Sequence, residues 1–176
     1  MEILAERVRT GRLPALEEVY DAYGSALYQY ALSMLWNRQD AEDALQNVFV
    51  KLLRMARQGG MEVRDLKGYL FRAVRNEAIT IRSRGRLGKE AERSASQVGV
   101  MEAASGADPL EAARIQEVLA DLPMEQREVL VLKVYHDMTF AEIAELTVEK
   151  LNTVASRYKY AVAKLQRRLR FQEERR

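Results

Sequence analysis

Asn152, Thr153, Ser156, Arg157 and Lys159 stand close together in the segment TFAEIAELTVEKLNTVASRYKY, residues 139–160. Amides, hydroxyls and cations of this kind hydrogen-bond to base edges and neutralise phosphates when a helix turns them outward. The segment supplies such a helix. Val154, Tyr158, Ala161 and Leu165 repeat at spacings of four, three and four, an apolar stripe that leaves the polar set facing solvent. Ahead of it, Thr139 and Glu142 have the spacing of a capping box and start a shorter helix, with Ile143 and Ala144 facing inward. Two helices about a tight turn, the second outwardly polar, form the pattern of a DNA-reading helix-turn-helix. A plain helical hairpin with a solvated basic face fits this segment, taken alone, about as well.

One position departs from the pattern. Four residues after Ala144, where such units place glycine to reach positive φ, the chain has Val148, a β-branched residue strained in that region. The expectation is a turn closed differently, through Asn152 or a longer first helix.

Two further helices carry candidate contacts. Residues 40–57 have a core stripe of Ala41, Leu45, Val48 and Leu52, and beside it a second of Gln46, Phe49, Val50 and Leu53. A small domain seldom buries both, so this helix is either enclosed by neighbours on most sides or has a partner-binding face. Asp40 and Asp43 lie in its first turn and provide its cap. The helix begun by Asp65 places Arg72, Arg75, Asn76, Ile79 and Arg82 opposite Leu66, Leu70 and Val74, with Tyr69 nearby to stack on an unpaired base. A solvated face explains this set nearly as well.

Catalysis has little to build on. His136 is the single histidine, there is no cysteine, and no phosphate-cradling glycine motif or nucleophile elbow occurs. Asp40, Glu42 and Asp43 are explained by their place in a first turn. The expectation is neither an enzyme nor a metal or cofactor binder. The 176 residues are 48% hydrophobic and 31% charged, the profile of a soluble protein, and no apolar run is long enough to span a bilayer. The charged stretch MEILAERVRTGRL has no apolar run of the kind a secretory signal needs, so the expected location is cytoplasmic. Net charge is only +2, but basic residues gather at Arg72, Arg75, Arg82, Arg84 and Arg86 and again at Arg157, Lys159, Lys164, Arg167, Arg168 and Arg170. Two separated basic stretches suit two contacts with a polyanion.

The periodicity is helical throughout. Leu16, Val19, Tyr20, Tyr23, Leu27, Tyr30, Ala31 and Met34 make a first amphipathic helix that ends near Trp36 and Asn37. Residues 85–107 lack an apolar stripe and read as a flexible linker. Asp108, Pro109 and Glu111 then start a second domain, whose first helix ends at Pro123. The fold expected is all-α: two small helical domains joined by a flexible linker, the C-terminal one with a helix-turn-helix.

In order, ALYQYALSMLWNRQDAEDALQNVFVKLL, LKGYLFRAVRNEAITIRSR, a linker, LADLPMEQREVLVLKVYHDMTFAEIAEL and LNTVASRYKYAVAKLQRRL resemble the bacterial extracytoplasmic-function (ECF) sigma factors of the RNA polymerase sigma subunit family, over residues 12–170. The resemblance implies a protein that binds core RNA polymerase and directs it to promoters. It implies a region 2-like domain at 1–84, a linker at 85–107 running through the polymerase, and a region 4-like domain at 108–176. Asp40, Asp43, Gln46, Phe49 and Val50 would dock on the coiled-coil clamp of the large polymerase subunit. Tyr69, Arg72, Arg75, Asn76 and Arg82, with the loop before them, would engage the promoter element nearest the start site and hold the separated nontemplate strand. Stacking and phosphate contacts offset the lost base pairing, so no hydrolysis is needed. Asn152, Thr153, Ser156, Arg157 and Lys159 would read the distal element, with the basic tail on phosphates. Ala155 stands where the family often has a basic residue, and the loop from Gln58 to Asp65 has no aromatic wedge, which leaves the base-capture pocket unassigned. Many family members are held inactive by an anti-sigma factor. Neither cofactor nor membrane insertion is implied.

Two other readings stay open. A stand-alone helix-turn-helix regulator explains the C-terminal half and leaves the first domain idle. A sigma-like interaction protein that does not read DNA is kept in play by Val148.

Overall fold

The computed structural model describes residues 14–58, 65–88, 115 and 117–173. Its elements are α1 (Pro14–Leu35), α2 (Arg38–Arg57), α3 (Leu66–Gly88), α4 (Met124–Val134), α5 (Phe140–Thr147) and α6 (Leu151–Glu173), and no strand occurs among the described residues. The chain divides into two compact units, Met1–Ser96 and Gln97–Arg176.

In the first unit α1, α2 and α3 pack on one another. Val19, Leu27, Tyr30, Ala31 and Met34 of α1 are buried against Ala41, Val48 and Leu52 of α2 and Leu70, Phe71 and Val74 of α3. Tyr30 and Phe71 meet with ring centroids 5.3 Å apart, the tilted contact that the aromatic quadrupole favours. Helix α1 stops where Trp36 turns to φ 55° and its N–H bonds to the Leu32 carbonyl. Asn37 then caps α2, its side-chain oxygen accepting the Asp40 N–H at 3.0 Å. This corrects the expectation that Asp40 and Asp43 supply the cap: the helix begins earlier, and both acids lie inside it, Asp40 in the first turn where it favours the positive end. Asp65 caps α3 as expected, accepting the Gly68 N–H at 3.0 Å. Glu77 of α3 is buried and accepts from Asn47 (3.0 Å) and Lys51 of α2, so a polar clamp fixes the pair of helices that carry the candidate contacts.

In the second unit Val118, Leu119 and Leu122 pack with Val129 to Leu132 of α4, Ile143 and Leu146 of α5 and Val154 and Ala161 of α6. Buried Arg127 donates to the Leu119 carbonyl at 3.3 Å, satisfying a helix-end acceptor that water does not reach. The start signal at Asp108 and most of the expected linker lie outside the described residues; residues 85–88 continue α3.

Candidate nucleic-acid and protein interfaces

The helix-turn-helix is built by local chemistry. Thr139 accepts the Glu142 N–H at 3.2 Å and Glu142 accepts the Thr139 N–H at 2.6 Å, so the capping box is complete. Ile143 is buried as expected, but Ala144 is only half-buried; Leu146 and Thr147 complete the inner face of α5. The turn does not close by the detour expected of a β-branched residue. Val148 itself takes the left-handed conformation, φ 58° and ψ 45°, and the Glu149 N–H reaches the Ala144 carbonyl at 2.9 Å. That six-to-one bond is the Schellman closure that glycine ordinarily makes. Hydrogen bonding of the α5 end and burial of Ile143 and Leu146 outweigh the side-chain strain.

Helix α6 then presents its polar set. Asn152, Ser156 and Lys159 are exposed, and Thr153 is half-buried beside them. No acidic residue lies in its first turn, and exposed Lys150 stands just before it, next to Glu149. Arg157 is placed differently: its guanidinium donates to Glu149 at 2.9 Å across the turn. Tyr160, 64% exposed one turn beyond Ser156, belongs to the same surface and is not among the residues expected from sequence. Its aromatic type suggests burial, and only its angle on the helix gives it away. In the basic tail, Lys164 donates to the Asp121 carbonyl and Arg168 pairs with the Asp121 carboxylate at 2.5 Å. Those two cations anchor α6 to the turn before α4, a role the sequence reading, which put the whole tail on phosphates, does not foresee.

Helix α2 is not enclosed. Its second stripe is outside the core: Gln46 is exposed, Phe49 and Leu53 are half-buried, and Val50 is 39% exposed. Exposed Tyr20 meets Phe49 edge-on with centroids 5.2 Å apart, widening the apolar patch. At 100° per residue Asp43, Gln46, Phe49 and Val50 spread over about 120° of the helix surface, and half-buried Asp40 lies about 60° beyond Asp43, at the edge of this face. On α3, Arg72, Arg75 and Asn76 lie opposite buried Leu70, Phe71, Val74 and Ala78; Asn76 and Arg82 are exposed, Arg72 and Arg75 half-buried. The Tyr69 hydroxyl donates to Met55 Sδ at 3.3 Å, which ties that ring to α2. The loop before α3 lies outside the described residues at 59–64. Among the described residues no group of three His, Cys, Asp or Glu gathers as a metal site, and no helix is long and apolar enough to cross a membrane.

Comparison with known proteins places these features. Residues 19–87 match the family model Sigma-70 region 2, and residues 112–165 match Sigma-70, region 4. The ECF RNA polymerase sigma factor SigL of Mycobacterium tuberculosis is 31% identical over 162 residues, covering 90% of this chain and 89% of that protein. SigM of Bacillus subtilis, another ECF RNA polymerase sigma factor, is 24% identical, covering 88% and 93%. Among solved structures, the sigma factor RpoE of Bartonella quintana, in complex with the anti-sigma factor NepR, has a TM-score of 0.71 at 26% identity, covering 88% of this chain and 96% of that one. CnrH, in complex with the cytosolic domain of CnrY, has a TM-score of 0.71 at 27% identity and covers 96% of each chain. With its packed α2 and α3, its capped helix-turn-helix and these relatives, the chain belongs to the ECF family of RNA polymerase sigma factors.

Proposed function

We propose that this sigma factor divides its work between its two units, with α2 docking core polymerase, α3 holding the opened promoter and α6 reading the distal element. The observation that carries the reading is the second stripe of α2. Asp43, Gln46, Phe49 and Val50 form an apolar centre with an acidic edge that the fold of this unit leaves uncovered, which suits a basic, partly apolar protein surface. Asp40 contributes charge from the first turn. On α3, Arg72, Arg75, Asn76 and Arg82 engage the separated strand of the proximal element, and Tyr69 offers a stacking ring at their edge. On α6, Asn152, Thr153, Ser156, Arg157 and Lys159 meet the distal element in the major groove.

Transcription initiation of this kind needs positioning and charge but no covalent chemistry in this chain, so the protein is not an enzyme. It works with the polymerase in the cytoplasm, and an anti-sigma factor is a partner of the same kind as NepR, which is bound to the solved relative RpoE. The interaction-protein alternative draws its support from an abnormal turn at Val148, and the Schellman closure there removes that ground. The test separates the two surfaces. Val50→Asp is expected to abolish binding to core polymerase, while Asn152→Ala leaves that binding intact and loses the distal half of the promoter preference. A Val50→Asp variant that binds core as the wild type does would refute the assignment of α2.

A further inference from the structure

Val148 in the turn, and Leu151 and Ala155 on the start of α6, are apolar positions that the polar face does not explain. Leu151 and Ala155 are four residues apart and so lie one above the other on the helix, with Asn152 and Lys159 beside them. Leu151 is 52% exposed, Ala155 half-buried and Val148 85% exposed. Three described non-glycine residues have positive φ. Of these, Asp137 has a side chain that tolerates the region, and Trp36 is half-buried against its own unit. Val148 alone is β-branched, strained and almost wholly in solvent, so its side chain gives nothing to the free fold. A strained side chain with no packing role points to a contact made outside the chain.

We infer that Val148, Leu151 and Ala155 read thymine C5-methyl groups in the distal promoter element. This rests on the promoter-reading assignment of α6 above. The methyl is the one apolar feature on the floor of the major groove, and aliphatic side chains recognise it by burial alone. Flanking charge favours DNA over an apolar protein surface: of the two residues between Val148 and Leu151, Lys150 is exposed and Glu149 is held by Arg157 at 2.9 Å, α6 has no acid in its first turn, and Lys159 closes the edge. A basic side chain at 155 would bring a charge into this edge; alanine leaves room for a methyl.

The test uses holoenzyme assembled from core polymerase and the full chain, on a promoter selected by that holoenzyme from random upstream sequence. Thymines of the distal element are replaced one at a time by uracil, which removes only the methyl, and promoter binding is measured by filter retention. The wild type is expected to lose about fourfold at one or two thymines, the value of one buried methyl group. Val148→Gly and Leu151→Ala are expected to bind thymine and uracil templates equally at those positions, while retaining the preference at bases met by Asn152. Uniform wild-type binding of every uracil template, with directed starts intact, overturns the methyl assignment and leaves the promoter reading standing. Variants that keep the full thymine preference overturn it too, as do variants whose only defect is weaker binding to core polymerase, which would assign the edge to a protein contact. Absence of directed starts on thymine templates is the failure of the promoter reading itself and withdraws the inference with it.

Discussion

Replacing Val148 by glycine removes a β-branched side chain from left-handed backbone while leaving the Glu149 to Ala144 hydrogen bond that closes the turn. A left-handed L-residue costs about 1–2 kcal/mol, which the substitution recovers. With 85% of the residue in solvent, the burial given up is about 0.2 kcal/mol of the roughly 1.5 that a fully buried valine provides. Glycine also frees the unfolded chain, at about 0.4–1 kcal/mol. The net is a gain of about 0.5 kcal/mol, which multiplies the closed-to-open ratio of the second unit about twofold and raises its melting temperature by about 2–4 °C. Native-state amide exchange at Val129 to Leu132, buried in α4, follows this unit and not the other. Their protection is expected to rise about twofold in Val148→Gly. A fall in protection would mean instead that the valine side chain contributes packing worth more than its strain costs.

Glu149→Gln releases Arg157 from its 2.9 Å partner and removes an anion from the turn before α6, the helix proposed to read the distal element. An exposed pair of this kind is worth about 0.2–1 kcal/mol, so the fold is little affected, while the promoter affinity of the holoenzyme rises and its log–log salt slope steepens by about 0.9; weaker binding at low salt would contradict this. Glu77→Ala strips the buried acceptor from Asn47 and Lys51 and is expected to cost the first unit about 2 kcal/mol in urea unfolding followed by Trp36, the single tryptophan. Burial, and secondarily the Asp65 carboxylate, push the Tyr23 hydroxyl above its ordinary value of 10.0. The unfolded chain therefore gives up that proton first, so stability is full below pH 10 and falls as pH rises through the raised folded value. Tyr23→Phe should flatten that loss in a melting series from pH 9 upward.

What the sequence made legible is what short-range chemistry decides. The Thr139–Glu142 box, the Asp65 cap and the buried stripes through Val48, Leu70 and Val154 each depend on residues within one or two helical turns. The Asn37 cap is harder to see because Asp40 and Asp43, close behind it, offer competing cap residues for the same helix. Val148 goes against its own propensity, and only the closure of α5 onto α6 shows why the strain is tolerated. The Glu149–Arg157 pair spans a turn, and the Lys164 and Arg168 contacts with Asp121 join residues 43 and 47 positions apart. Pairings of that reach have no periodic signal, so the expected DNA surface counts cations that the fold itself employs.

The most direct test of the central claim is transcription in vitro by purified core polymerase, with and without this protein, on a library of random upstream sequences, reading the transcript starts. Starts that appear only with the protein and share a two-part motif are expected. Binding to core polymerase without directed starts, or no binding at all, would contradict that claim.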